Sequence, residues 1–198
     1  MARTALLSVY DKTGIVEFAQ SLVDLGWTIY ASGGTAKVLS DAEIPVIDVA
    51  ALVGGGAILG HRVVTLSREV HAALLATTSK KDLAELEQLG IPFIDLVCVD
   101  MYPLAEEIDK PDSTPESVIE KTDIGGPTML RSAAKGQRIV IANPAMRQRV
   151  LDWLKEGEPD PEIIRTMLAA RAEEVVGNYC LLSARYHSGG NYGNHLSV

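Results

Sequence analysis

The sequence has little cysteine, few aromatic residues and no long apolar run. Its two cysteines, Cys98 and Cys180, both lie in apolar stretches, and neither joins any of the four histidines in a metal-ligand spacing. These counts exclude a disulfide-rich scaffold and a cysteine-based zinc site, so we predict two buried thiols and no metal. No apolar run approaches the roughly 20 residues of a membrane-spanning helix, and no signal-peptide pattern opens the chain. We therefore expect a soluble, cytoplasmic protein.

Positive charge is also scarce. The chain has 18 Lys and Arg against 26 Asp and Glu, a formal net charge of −8. Such a field repels phosphates, so we expect neither nucleic acid nor an anionic membrane as a partner. A local basic site for one small phosphorylated molecule is still compatible with this charge. The 47% hydrophobic content is that of a globular protein and excludes disorder.

Strand and helix patterns alternate along the chain. Short apolar runs predict strands at residues 5–10, 27–31, 46–49, 93–99 and 138–142. Apolar residues at helical spacing predict helices at residues 11–26, 80–90 and 160–186. This alternation predicts an α/β fold with a mostly parallel sheet and helices on both faces. We predict one domain over residues 1–198, with an α/β core (1–143) followed by C-terminal helices and a tail (144–198).

Two strand-to-helix turns have the composition of an anion site. Ser8 lies near the end of the first predicted strand and is followed by Lys12, and residues 32–35 (Ser-Gly-Gly-Thr) open a helix. Helix N-termini at the carboxyl ends of strands present free amides, and glycines let a ligand approach the backbone. The second turn is alternatively a simple helix cap. Two such turns from adjacent strands favour a monophosphate site, for which the candidates are Ser8, Lys12, Ser32, Gly33, Gly34 and Thr35.

Two later segments are further candidates. Tyr102 follows the most apolar predicted strand, which puts a phenol at the carboxyl edge of the sheet unless the segment is a plain turn. In residues 121–135, Asp123 and a pair of glycines precede a helix that ends at Lys135. Those charges also suit an ordinary helix with an acidic start and a basic end. The double glycine, however, indicates backbone close to a ligand.

Taken together, five segments resemble, in order and spacing, the inosine monophosphate (IMP) cyclohydrolase domain of the bifunctional purine-biosynthesis enzyme. They read LLSVYDKTGIVEFAQSL, YASGGTAKVL, RVVTL with VHAALL, VDMYPL and TDIGGPTMLRSAAK, and the resemblance as a whole runs from about residue 5 to residue 186. The formyltransferase domain of that enzyme is not among the 198 residues. The resemblance implies a methylglyoxal-synthase-like fold with added C-terminal helices.

The resemblance also implies a reaction and its partners. The reaction closes the purine ring of formylated aminoimidazole carboxamide ribotide (FAICAR) to give IMP with loss of water, the last step of de novo purine biosynthesis. It requires no cofactor or metal. The family works as a homodimer, and a standalone chain would receive FAICAR from a separate formyltransferase.

Individual residues carry over from this family by position. The family's ribotide-phosphate site matches the candidate residues of the two turns, with Arg62 and Thr65 lining the same pocket. Gly125 and Gly126 match backbone that faces the base. The catalytic set of the family matches Tyr102, Asp123 and Lys135, with Lys135 steadying the oxyanion.

The sequence departs from the family where residues 61–68 read HRVVTLSR. Val64 stands in place of a lysine implicated in binding and catalysis, Ser67 and Arg68 replace His-Pro, and Asp100 replaces an asparagine. Losing a cation beside an oxyanion could remove about 2.7–4 kcal/mol of transition-state stabilisation. Two hypotheses follow: an IMP cyclohydrolase with an altered site, or a non-catalytic ribotide-binding or regulatory relative. Methylglyoxal synthase activity is a third hypothesis, but we find no match to that family's catalytic aspartate motif.

Overall fold

A parallel five-stranded sheet forms the centre of the protein. The computed structural model describes residues 3–60 and 62–189. The strands are β1 (Thr4–Ser8), β2 (Thr28–Ala31), β3 (Ile47–Asp48), β4 (Leu96–Val99) and β5 (Ile139–Ile141). Their order is β3-β2-β1-β4-β5, and each neighbouring pair is parallel. The predicted α/β fold class is confirmed.

Helices cover both faces of this sheet. They are α1 (Ile15–Asp24), α2 (Gly33–Asp41), α3 (Val49–Leu52), α4 (Arg68–Leu75), α5 (Lys80–Leu89), α6 (Leu104–Ile108), α7 (Pro115–Lys121), α8 (Gly125–Lys135), α9 (Arg147–Lys155) and α10 (Pro161–His187). Because side chains alternate along a strand, Leu7 of β1 packs into the apolar layer shared with α1, α2 and α9. Leu6 packs into the opposite layer with α4, α8 and part of α10. The central strands are therefore buried on both sides, as parallel strands usually are.

The two cysteines differ in environment. Cys98 of β4 is buried, and burial raises the pKa of its thiol to about 11. Cys180 on α10 is exposed, so the prediction that both thiols are buried is wrong for this residue. Apolar residues occur on every side of α10, and the apolar run around Cys180 therefore did not mark a buried face. No helix in the described part of the chain is long and apolar enough to cross a bilayer.

The contact between α4 and α8 fixes the segment that leads into α4. A β-carbon on Gly136, just after α8, would lie 1.9 Å from the carbonyl oxygen of Leu74 in α4. Only glycine allows this approach. The buried Arg138 donates from Nε to the same carbonyl oxygen at 3.0 Å and stacks on the ring of Phe93. These contacts hold α4 against α8, and the 62–67 segment consequently ends beside the N-terminus of α8.

Candidate functional site

A cavity of about 700 Å³ opens at the carboxyl ends of β1, β2 and β4. Its wall is completed by the 62–65 segment, the end of α7 and the start of α8. The lining residues include these predicted site residues: Ser8, Ser32, Arg62, Thr65, Tyr102, Asp123, Gly125 and Gly126. Lys12, Gly33, Gly34, Thr35 and Lys135 are not part of that lining. The predicted residues in this lining come from five separate stretches of chain that meet at one edge of the sheet.

Two hydroxyl groups mark one end of the cavity. The Oγ atoms of Ser8 and Ser32 are 2.7 Å apart. Ser32 is the N-cap of α2, yet its side chain does not cap the helix and is available at the cavity wall. Gly33 has a φ of 48°, a left-handed conformation that glycine adopts at low cost. Paired hydroxyls at the positive end of a helix suit an anion such as a phosphate.

Lys12 and Thr35 lie outside the cavity lining and support the end of the cavity that carries the two hydroxyl groups. Thr35 is buried, and its hydroxyl accepts a hydrogen bond from the Val9 amide at 3.1 Å. Lys12 donates from Nζ to the carbonyl oxygens of Val9 and Tyr10, and its Cε lies 3.8 Å from the β-carbon position of Gly34. Burial lowers the pKa of Lys12. Both side chains therefore brace the end of β1 against α2.

A buried ion pair lies beside the turn that contains Lys12. Asp100 accepts hydrogen bonds from the amides of Tyr10 and Asp11, and its Oδ2 lies 3.4 Å from a guanidinium nitrogen of Arg147. Arg147 also donates to the carbonyl oxygen of Thr13 at 2.7 Å. Burial raises the pKa of Asp100, and the Tyr10 amide and Arg147 oppose that shift. Asp100 thus holds the Lys12 turn, and Arg147 is a supporting residue that sequence reasoning missed.

Asp123 is fixed at the start of α8. Its Oδ1 accepts a hydrogen bond from the Gly126 amide at 2.9 Å, and its own amide donates to the Tyr179 hydroxyl of α10 at 2.7 Å. A β-carbon on Gly126 would lie 2.6 Å from Asp123 Oδ2, and one on Gly125 would lie 2.8 Å from Thr65 Oγ1. The two glycines let a carboxylate and a hydroxyl pack directly on the helix N-terminus. No local pattern in the sequence pointed to Tyr179.

Tyr102 presents its ring to the cavity. The ring packs edge-on against Tyr10, with centroids 4.8 Å apart. Its hydroxyl donates to Glu107 Oε2 at 3.2 Å, and the same oxygen lies 2.6 Å from Lys110 Nζ. Burial and the hydrogen bond to Glu107 raise the pKa of Tyr102, whereas Lys110 lowers the pKa of Glu107. The phenol is consequently neutral near pH 7, with its proton directed towards a carboxylate.

The cavity also contains cations near its acidic wall. Arg62 pairs with Glu120 at 2.6 Å and donates to the carbonyl oxygen of Leu59 at 3.2 Å. Lys121, which the sequence did not single out, places Nζ 5.0 Å from the centroid of the Tyr102 ring. Val64 lines the same cavity without charge. Within the described ranges, no cluster of three or more His, Cys, Asp or Glu side chains could hold a metal ion.

Lys135 lies elsewhere. It is the last residue of the eleven-residue helix α8, and its side chain is exposed. At 1.5 Å per residue, its backbone is about 15 Å along the helix from Gly125. The structure therefore does not bring Lys135 to the cavity of its own chain.

The fold and the cavity define a parallel α/β domain whose polar residues meet at the carboxyl ends of the strands. A family model described as the MGS-like domain matches residues 14–128, more than half of the chain. The protein therefore belongs to the MGS-like domain family. It is also similar to the crystal structure of ForH, with 36% sequence identity and a TM-score of 0.82 over 95% of this chain and 98% of that one.

Proposed function

We propose that this protein is an IMP cyclohydrolase that closes the ring of FAICAR. The proposal rests on one observation: the Ser8–Ser32 hydroxyl pair lines the same cavity as Tyr102 and Asp123. A volume of about 700 Å³ is in the range of small-ligand sites. The ribotide phosphate would bind at the hydroxyl pair and the base near the start of α8. A separate formyltransferase would supply FAICAR, and both proteins would work in the cytoplasm.

The reaction is an internal addition followed by dehydration. The carboxamide nitrogen forms a bond to the formyl carbon, and the π electrons of the formyl group move to its oxygen. That nitrogen loses a proton and the oxygen gains one, which gives a carbinolamine. The hydroxyl then leaves with the C–O electron pair, the former formamide nitrogen loses its proton, and a C=N bond and water result. Because both reacting groups belong to one molecule, holding the reactive rotamer supplies much of the rate enhancement.

Asp123 is the residue best placed to move these protons. Its carboxylate lies at the cavity wall, held by the Gly126 amide, while Tyr179 fixes its backbone. In the proposed mechanism it accepts the proton of the carboxamide nitrogen and returns it to the formyl oxygen. General acid–base catalysis of this kind contributes roughly 10²–10⁴-fold. Tyr102 forms the wall against which the base packs.

The direct test is to incubate purified protein with FAICAR and follow the change in ultraviolet absorbance as the purine forms. We expect a rate proportional to enzyme concentration that saturates with FAICAR. Asp123→Asn should lower kcat by roughly 10²–10⁴-fold. A wild-type rate equal to that in buffer would contradict the proposal.

A second candidate function is ribotide binding without turnover. It is favoured by Val64, an uncharged side chain in the wall of a cavity proposed to stabilise an oxyanion. A bound nucleotide at 100 times its Kd would stabilise the fold by about 2.7 kcal/mol. This alternative predicts that IMP raises Tm while FAICAR closes no faster than in buffer. A Tm that is unchanged by millimolar IMP would exclude both candidates.

A further inference from the structure

The described residues that line the cavity include more carboxylate side chains than cationic side chains without a carboxylate partner. Asp100, Glu120 and Asp123 all line it. Asp100 is balanced by Arg147, and Glu120 is paired with Arg62. Arg62 is therefore committed to protein groups, since it donates twice to Glu120 and once to a backbone carbonyl.

Lys121 differs from Arg62 in its contacts. Across residues 3–60 and 62–189, the one polar or ring interaction of the Lys121 side chain is with the face of the Tyr102 ring, 5.0 Å from Nζ to the centroid. An aromatic face attracts an ammonium group but takes none of its three N–H donors in a hydrogen bond. Both the ring and the lysine line the cavity. The ammonium group is thus held at the wall with its donors available to a bound molecule.

We propose that Lys121 supplies the positive charge that stabilises the formyl oxygen during ring closure, an inference that rests on the proposed function. Negative charge develops on that oxygen as the carboxamide nitrogen attacks. The Lys121 ammonium donates a hydrogen bond to it and remains protonated. The proton that completes the hydroxyl is the one that Asp123 took from the nitrogen, so protons balance. Lys121 also explains how a site with Val64 in its wall retains a cation.

The first experiment compares Lys121→Met with Lys121→Arg in the FAICAR assay. Removing one oxyanion donor costs about 10²–10³-fold in kcat, so we expect that loss in Lys121→Met, with little change in Tm or in the Kd for IMP. Lys121→Arg keeps both the charge and the contact with the ring and should retain most of the activity. Lys81→Met, at an exposed lysine of α5, is the matched control and should behave like wild type.

The second experiment adds a lysine at position 64. If Lys121 provides the missing charge, Val64→Lys should raise the kcat of Lys121→Met at least tenfold and change that of the wild-type protein far less. An equal fold-change in both backgrounds would overturn the inference, as would a Lys121→Met kcat within twofold of wild type. Loss of Tm in Lys121→Met and Lys121→Arg alike would show a structural role and overturn it too. An inactive wild-type protein would reject the proposed function together with this inference, whereas an active wild type with an equally active Lys121→Met rejects the inference alone.

Discussion

At the scale of single residues, Gly126 controls the position of the proposed acid–base group. Alanine in a helix is normally better than glycine by about 1 kcal/mol. Here the added β-carbon would lie 2.6 Å from Asp123 Oδ2 and 3.1 Å from Met101 Cγ. The local preference of the helix and the packing of the site therefore favour different residues at this position.

We expect Gly126→Ala to lower both Tm and the rate of ring closure, by tenfold or more in kcat, because Asp123 must shift. Gly55→Ala is the control, since a β-carbon there meets nothing within 4 Å. Thermal melting and the FAICAR assay measure the two effects. A Gly126→Ala protein as active as wild type would show that the carboxylate position is unimportant.

The pair of Asp100 and Arg147 gives a prediction that depends on pH. Breaking a buried ion pair by removing one partner costs roughly 3–5 kcal/mol, so Arg147→Met should lower the free energy of unfolding by about that amount at pH 7. Burial already raises the pKa of Asp100, and loss of the guanidinium raises it further. A raised carboxyl pKa means that the folded state binds the proton more tightly, so this group favours folding at low pH and loses that contribution as pH rises.

The loss of unfolding free energy caused by Arg147→Met should therefore be smaller at pH 4 than at pH 7, as measured by urea unfolding. Asp100→Asn in the same background should restore part of the stability and remove most of the pH dependence. An equal deficit at both pH values would contradict the pairing.

At the scale of elements, α10 connects the C-terminal part of the chain to the cavity. Its Tyr179 hydroxyl accepts the hydrogen bond from the Asp123 amide at 2.7 Å. The sequence predicted a helix there from its length and pattern, but this contact joins residues 56 positions apart. The periodicity of the sequence also did not predict the short helices α6 and α7. Their five and seven residues contain too few helical turns to show a repeat.

Tyr179→Phe should lower the free energy of unfolding by about 0.5–1.5 kcal/mol, the usual net value of one hydrogen bond. It should also lower kcat several-fold, because Asp123 loses one of its two anchors. Tyr186→Phe on the same helix is the control. Unchanged kcat in Tyr179→Phe would show that α10 does not position the site.

At the scale of the whole molecule, the sequence predicted the fold class because alternating strand and helix patterns are local signals. It also predicted that Ser8 and Ser32 would share a site and that Tyr102 would lie at the carboxyl edge of the sheet, since parallel strands end at one edge. It did not predict Arg147 or Lys121, whose contacts depend on how distant elements pack. The role of Lys135 came from the resemblance alone, and the helix that carries it leads away from the cavity.

The exposed face of α10 bears on the predicted homodimer. Ile163, Met167 and Leu181 are 61%, 62% and 43% exposed, and with Ala170 and Gly177 they lie along one stripe of the helix, which the exposed Glu174 interrupts between Ala170 and Gly177. We propose that two copies pair along this face. Ile163→Glu with Met167→Glu should yield monomers in light scattering at micromolar concentration. Leu89→Glu, an exposed leucine of α5, should leave the dimer intact, and a wild-type monomer would contradict the proposal.

The most direct test of IMP cyclohydrolase function is a single-turnover experiment with enzyme in excess over FAICAR. This design detects chemistry even where product release is slow. We expect wild-type protein to convert all of the FAICAR to IMP, and Asp123→Asn to do so at least a hundredfold more slowly. Stoichiometric binding of FAICAR with closure no faster than in buffer would contradict the enzymatic function and leave a ribotide-binding protein.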